Sequence, residues 1–102
     1  MATTCAEGGE ILDVRHEFRD GTRLVIRVWV VAAPVPPSAH RYKYSFFFGR
    51  PGERLVLFDN ERGKGDHKHI REIESAYAFE SIGKLTEDFM DAVRAIRMEQ
   101  RQ

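Results

Sequence analysis

The feature that most constrains the fold of this chain is a two-residue alternation of apolar side chains in its first third. Between residues 10 and 31, apolar residues recur at every second position on both sides of Arg19-Asp20-Gly21. This period predicts two half-buried β-strands. A three-residue loop at 19–21 sets Val14 opposite Ile26 and aligns the apolar residues, whereas a two-residue loop mixes the faces. We therefore predict a hairpin with Gly21 in the left-handed conformation of a bulged turn.

The segments that follow continue the alternating pattern. Residues 40–49 read HRYKYSFFFG, and this third predicted strand carries four aromatic side chains on one face: Tyr42, Tyr44, Phe46 and Phe48. The segment RLVLFDN (54–60) predicts a fourth strand, and AYAF (76–79) is compatible with a short fifth strand. Strand aromatics can stack on RNA bases. On a small sheet they more often form the core, and we expect them there.

The C-terminal segment has the period of a helix. Ser81 is a suitable N-cap, and one apolar stripe follows it: Ile82, Leu85, Phe89, Val93 and Ile96. The predicted fold class is therefore α+β, an antiparallel β-meander of four to five strands with a C-terminal α-helix packed on one face. We predict a flexible leader at 1–9, a single domain at 10–99 and a tail at 100–102.

Composition excludes several classes of protein. A length of 102 residues suits one domain, and no apolar run approaches the roughly 18 residues that span a bilayer. The N-terminus lacks the basic and apolar segments of a signal peptide. Cys5, the single cysteine, can form neither an internal disulfide nor a thiolate metal site. We expect a cytoplasmic protein that does not associate with membranes.

The charge of the chain is balanced but unevenly distributed. The formal net charge is zero, which argues against indiscriminate binding of nucleic acid. Residues 40–71 contain eight Lys or Arg and four Asp or Glu, so this segment carries +4 and the remainder −4. Such segregation can steer an anionic ligand to one face of the protein.

The stretch DNERGKGDHKHI (59–70) holds the residues best suited to chemistry. On an extended strand His67 and His69 point the same way, about 6.6 Å apart. Histidine titrates near neutral pH, so one imidazole can act as base and the other as acid in RNA cleavage. The cationic residues Lys64, Arg62 and Lys68 are candidates to hold the phosphate. This interpretation requires no metal and no cofactor.

Two other interpretations of the same stretch remain open. Asp66, His67 and His69, with Asp59 nearby, could bind zinc or manganese. Adjacent residues such as Asp66 and His67 point apart on a regular strand, however, which weakens that possibility. The stretch could also be a solvated turn, since histidines flanked by lysine are common on surfaces. Spacing alone does not decide among these.

Three segments of the chain resemble the TumE-type toxins of bacterial toxin–antitoxin pairs: HRYKYSFFFG, FDNERGKGDHKH and FMDAVR. The resemblance runs from about Glu10 to Arg97. It implies a toxin that acts on RNA or translation and is neutralised by an adjacently encoded antitoxin, typically of helix-turn-helix type.

The resemblance also implies site residues, which we take to be Asp59, Asn60, His67 and His69. Our first hypothesis is a small metal-independent ribonuclease. In it Asp59 and Asn60 orient the site, the histidines exchange protons, and Lys64 and Arg41 hold the phosphate. The alternatives are a metal-dependent nuclease and a non-catalytic module that binds nucleic acid or protein.

Overall fold

The sheet of this protein is a simple meander in which each strand pairs with the next. A computed structural model describes residues 8–100, and within them the chain forms six strands and a helix. The sheet order is β1-β2-β3-β4-β5-β6, with every neighbouring pair antiparallel. The elements are β1 (Gly8–Glu17), β2 (Arg23–Val31), β3 (Tyr42–Arg50), β4 (Glu53–Glu61), β5 (Gly65–Ile70), β6 (Ile73–Ala76) and α1 (Ile82–Gln100).

The predicted fold class is confirmed, but the predicted number of strands is wrong. The sheet has six strands and not four to five, because β5 pairs with β4 and β6 pairs with β5. The short strand expected at 76–79 lies instead at Ile73–Ala76. The apolar alternation that marks β1 to β4 is absent from β5, which reads GDHKHI, since one of its faces carries the two histidines.

The first strand and the helix extend slightly beyond residues 10–99, the limits predicted for the domain. β1 begins at Gly8, and α1 extends to Gln100. Cys5 and the rest of the predicted leader and tail, residues 1–7 and 101–102, lie outside the described residues. Within residues 8–100 the structure contains no helix that is long and apolar enough to cross a membrane.

The first hairpin has the predicted register. Val14 is opposite Ile26, and the Phe18 amide donates a hydrogen bond to the Thr22 carbonyl oxygen at 2.8 Å, which leaves the three-residue loop 19–21. Gly21 has a φ of +88°, in the left-handed region where a glycine is favoured. The alternation of apolar residues therefore predicted both the length of the loop and the pairing of the strands correctly.

The core lies between the sheet and α1. Of the four strand aromatics predicted to form the core, Tyr44, Phe46 and Phe48 are fully buried there, and Tyr42 is partly buried and packs against it. The Ser81 hydroxyl accepts a hydrogen bond from the Lys84 amide at 3.0 Å, as expected of an N-cap. Four residues of the predicted apolar stripe are buried against the sheet: Leu85, Phe89, Val93 and Ile96.

The opposite face of the sheet, which we term the open face, carries no helix among the described residues. Because side chains alternate along a strand, residues that flank the core positions point to this face. The pairing of β4, β5 and β6 sets Asp59 opposite His67, and His69 opposite Glu74. Directly opposed side chains lie about 5 Å apart at Cβ, so the polar residues of three strands meet there.

Candidate functional site

Five polar residues converge on the open face and form a site that we term the histidine–carboxylate cluster. The strands β4, β5 and β6 supply all of them: Asp59, Glu61, His67, His69 and Glu74. The two imidazole rings point the same way, as predicted, with their centroids 5.3 Å apart. A shallow groove lined by Lys64, His67, Glu74 and Ala76 opens beside them.

His67 is at the centre of the cluster and is buried, with 6% of its side chain exposed. Its Nδ1 lies 3.0 Å from the Gly65 carbonyl oxygen, which can only accept, so Nδ1 carries a proton and donates it. Its Nε2 faces three carboxylates, at 2.8 Å from Asp59 Oδ1, 3.5 Å from Glu61 Oε1 and 3.8 Å from Glu74 Oε2.

The charged form of Asp59 is destabilised by its surroundings in the folded protein. Its Oδ1 is buried and accepts no hydrogen bond from the described residues, although His67 Nε2 is close to it. Burial raises the pKa of Asp59, and the neighbouring charges of His67 and Lys43 only partly oppose this. A buried carboxylate oxygen without a donor is unfavourable, and such groups mark functional sites.

His69 is held differently from His67. Its Nδ1 lies 3.2 Å from Nη2 of Arg54, which can only donate, so the neutral ring carries its proton on Nε2. That Nε2 is 3.5 Å from Glu74 Oε2. Burial and the positive charge of Arg54 lower the pKa of His69, so its ring is neutral at pH 7. His69 therefore presents an N–H donor.

Of the four residues predicted to hold phosphate, Lys64 contacts the cluster. Its Nζ lies 2.8 Å from Glu74 Oε2 and 3.8 Å from Glu61 Oε1. The other three do not contact the cluster. Arg62 is exposed in the β4–β5 turn, and Lys68 lies near the Phe58 ring on the helix side of β5. Arg41 donates a hydrogen bond to the Ala32 carbonyl oxygen at 2.8 Å.

Asn60 and Asp66, two further predicted site residues, lie on the other face of the sheet. They pair with each other across β4 and β5 and point toward the core. Asn60 is fully buried, accepts a hydrogen bond from the Tyr44 amide at 3.0 Å and donates to the Tyr42 carbonyl oxygen at 2.8 Å. Because Asp66 points away from His67, the metal set considered from the sequence, Asp66, His67 and His69, does not converge.

Asp66 anchors the β2–β3 loop to the back of the cluster. Its carboxylate accepts hydrogen bonds from the Ser38 hydroxyl, His40 Nε2 at 2.7 Å and the Tyr44 hydroxyl at 2.7 Å. Burial alone would raise the pKa of Asp66, but these three hydrogen bonds outweigh burial and lower it. We term Ser38, His40, Tyr44, Asn60 and Asp66 the Asp66 network.

Comparison with known protein families gives a match to the model described as toxin TumE, over residues 4–97. The chain belongs to the TumE toxin family. The match covers nearly the whole chain and confirms the resemblance drawn from the sequence. Membership of this family indicates a toxin and implies a cognate antitoxin as its partner. The chain matches no curated protein and no solved structure.

Three contacting residues of this TumE site were not predicted from the sequence. Glu61 is two residues after Asp59 on the same strand, so the period of two was sufficient to place it on the same face. To predict that Glu74 contacts the site, the position of β6 would have been needed, and β6 was predicted three residues too late. To predict that Arg54 contacts the site, the bulge at Phe48/Gly49 would have been needed. This bulge shifts the pairing of β3 with β4 and has no signal in the sequence.

Proposed function

We propose that this TumE-family toxin cleaves RNA at the histidine–carboxylate cluster. The observation that supports the proposal is the pair of imidazoles, 5.3 Å apart on the open face with Asp59 and Lys64 beside them. Cleavage of a phosphodiester in RNA needs a base for the 2′-hydroxyl, positive charge or hydrogen-bond donors at the phosphate, and an acid for the leaving 5′-oxygen. Residues of these types lie together in this site.

The metal-independent form of the reaction assigns His67 as base and His69 as acid. Asp59 would then stabilise the imidazolium that forms on His67, as carboxylates do in other histidine–carboxylate pairs. The contacts argue against this assignment of His67, because Nδ1 faces the Gly65 carbonyl and Nε2 faces Asp59. A substrate hydroxyl reaches Nε2 only after Asp59 has turned away.

The contacts favour a form of the reaction in which a cation offsets the carboxylates and His69 faces the phosphate. Asp59, Glu61 and Glu74 outnumber the two lysines near them, Lys64 and Lys43, and without a further cation they would repel RNA. His69 presents Nε2–H because Arg54 occupies its Nδ1. This N–H is suited to donate a hydrogen bond to a phosphoryl oxygen as negative charge develops on it.

The test compares His69→Gln with His16→Gln, a change of another strand histidine, which is exposed on β1 and packs on Phe18. We expect purified wild type and His16→Gln to cleave RNA and to arrest bacterial growth. His69→Gln should lose at least about 100-fold in cleavage rate while keeping its circular dichroism spectrum. Cleavage by His69→Gln at the wild-type rate would overturn the role of His69. Toxicity without cleavage would favour the non-catalytic binding module instead.

The proposed setting is the bacterial cytoplasm, where an antitoxin of helix-turn-helix type neutralises the toxin. Membership of the TumE family supports the antitoxin, and the resemblance of the sequence to TumE-type toxins supports its helix-turn-helix type. Co-expression of the adjacent gene product should restore growth and should protect RNA in a purified mixture. Failure of that product to bind the toxin would contradict this assignment of the partner.

A further inference from the structure

We infer that Asp59, Glu61 and His67 form a binding site for one divalent cation of the zinc or manganese class. The three residues offer one imidazole nitrogen and two carboxylate oxygens, all within 4.8 Å of one another. The catalytic use of the ion rests on the proposed RNA cleavage, whereas the presence of the site does not. The inference therefore deepens the proposed function and can be tested apart from it.

The first argument is the tautomer of His67. Since the Nδ1–H group donates a hydrogen bond to the Gly65 carbonyl oxygen, the neutral ring has a lone pair on Nε2. This nitrogen lies 2.8 Å from Asp59 Oδ1, yet that oxygen has no hydrogen bond from residues 8–100. Two buried acceptors that face each other need the positive charge of a proton or of a metal cation between them. A divalent ion seated beside both atoms supplies it.

The distances are those of a coordination shell. Bonds of about 2.0–2.2 Å from zinc to nitrogen or oxygen place the ligands of a tetrahedral ion roughly 3.3 Å apart. The separations from His67 Nε2 bracket this value, at 2.8 Å to Asp59 and 3.5 Å to Glu61. Glu74 Oε2, at 3.8 Å, is placed to be a fourth ligand or to bind a water on the ion.

Lys64 does not satisfy the site on its own. Its Nζ contacts Glu74 at 2.8 Å and Glu61 at 3.8 Å, whereas no Lys64–Asp59 ion pair occurs in the part of the chain that the structure describes. The positive charge of Lys64 is thus placed at the exposed rim. Lys43, the other lysine near Asp59, donates to the Asn60 carbonyl oxygen and forms no ion pair with Asp59 among the described residues. A divalent ion would add positive charge directly at the Asp59 carboxylate.

The contacts of His69 leave it outside the coordination shell. A ring that accepts from Arg54 at Nδ1 keeps its proton on Nε2 and has no lone pair to give to a metal. His69 can instead donate a hydrogen bond to a water or phosphate on the ion. Glu61 and Glu74 are exposed over 51% and 39% of their side chains, so the ion has an open side for such a ligand.

The experiment is calorimetric titration of the full chain, freed of metal with EDTA, with Zn²⁺ and separately with Mn²⁺. We expect one ion per chain for at least one of these metals. Glu61→Gln and Asp59→Asn should weaken binding about tenfold or more. Glu87→Gln, an exposed glutamate on α1, is the matched control and should bind as the wild type does. Glu61 is exposed, so its change should not disturb folding.

Two outcomes would overturn the site: no stoichiometric binding by the wild type, or equal binding by Glu61→Gln and the wild type. The test separates the site from the proposed reaction. If the ion binds but RNA is not cleaved with the ion bound, the site stands and the reaction fails. If the wild type cleaves RNA in EDTA and binds no ion, the reaction stands and the site fails.

Discussion

Asp59 and Asn60 are consecutive residues of β4, and their side chains lie on opposite faces of the sheet. Asp59 Oδ1 is 2.8 Å from His67 Nε2 on the open face, and Asn60 Oδ1 is 3.0 Å from the Tyr44 amide nitrogen in the core. One strand thus contributes to the candidate site and to the packing of the domain. Substitutions at these two neighbours should therefore have opposite effects on stability.

We expect Asp59→Asn to stabilise the metal-free protein at neutral pH. Burial raises the pKa of Asp59, so folding opposes its charged form and wild-type stability falls as pH rises above 3.8, the ordinary pKa of an aspartate. An amide carries no such penalty. In EDTA the gain should be about 1 kcal/mol at pH 7 and should vanish in acid, measured by urea unfolding. A less stable Asp59→Asn at pH 7 would show that the Asp59–His67 contact is net stabilising.

Asn60→Ala should destabilise the protein by about 2–3 kcal/mol. It would leave the Tyr44 amide and the Tyr42 carbonyl without partners in a buried place. Ion affinity and RNA cleavage per folded molecule should not change, because Asn60 points away from the cluster. Urea unfolding measures the first effect, and calorimetry and RNA cleavage at low temperature measure the others. A selective loss of cleavage would instead support the catalytic role that the sequence suggested.

Asp66→Asn should remove a pH-dependent part of the stability. The folded pKa of Asp66 is lowered, because hydrogen bonds from Ser38, His40 and Tyr44 outweigh burial. The carboxylate therefore contributes stability that is present above 3.8, the ordinary pKa of an aspartate, and is lost as pH falls through the lowered folded pKa. We expect a loss of about 2 kcal/mol at pH 7 and a much smaller difference near pH 2. An equal difference at both values would contradict the assignment.

Gly65→Ala should be more harmful than Gly63→Ala. Both residues have positive φ, of +76° and +89°, so each alanine introduces backbone strain of about 1–3 kcal/mol. A Cβ on Gly65 would also lie 3.0 Å from Pro37 Cγ, whereas a Cβ on Gly63 meets nothing within 4 Å. The Gly65 carbonyl holds His67, so Gly65→Ala should also weaken ion binding. Thermal unfolding and calorimetry of the pair test this, and equal effects would contradict it.

The elements that could be predicted from the sequence are those with an apolar period. Alternation from Leu12 to Val28 gave the first hairpin and its register, because a slip of one residue would expose every apolar side chain. The stripe from Ile82 to Ile96 gave the helix for the same reason. In these segments one residue type, repeated at a fixed interval, determines which side is buried.

The strand β5 and part of the site could not be predicted, because there the pattern is polar on both faces. On β5 both Asp66 and His67 are largely buried, the first by the Asp66 network and the second by carboxylates of the cluster. A polar residue buried with polar partners has the same appearance in a sequence as a solvated one. The family resemblance grouped Asn60 with Asp59, but consecutive residues of a strand point to opposite faces, and the structure places Asn60 in the core.

The Asp66 network lies directly behind the histidine–carboxylate cluster, and this has a consequence for genetic selection. Cells that survive expression of the toxin will include escape mutants at Ser38 and His40, which hold β5 from the core side without contacting the ion site. From the positions of these escape mutations alone, the β2–β3 loop would be assigned to the active site. Measuring toxin abundance in each survivor separates the two groups. Mutants of the Asp66 network lose the folded protein, whereas mutants of the histidine–carboxylate cluster keep it.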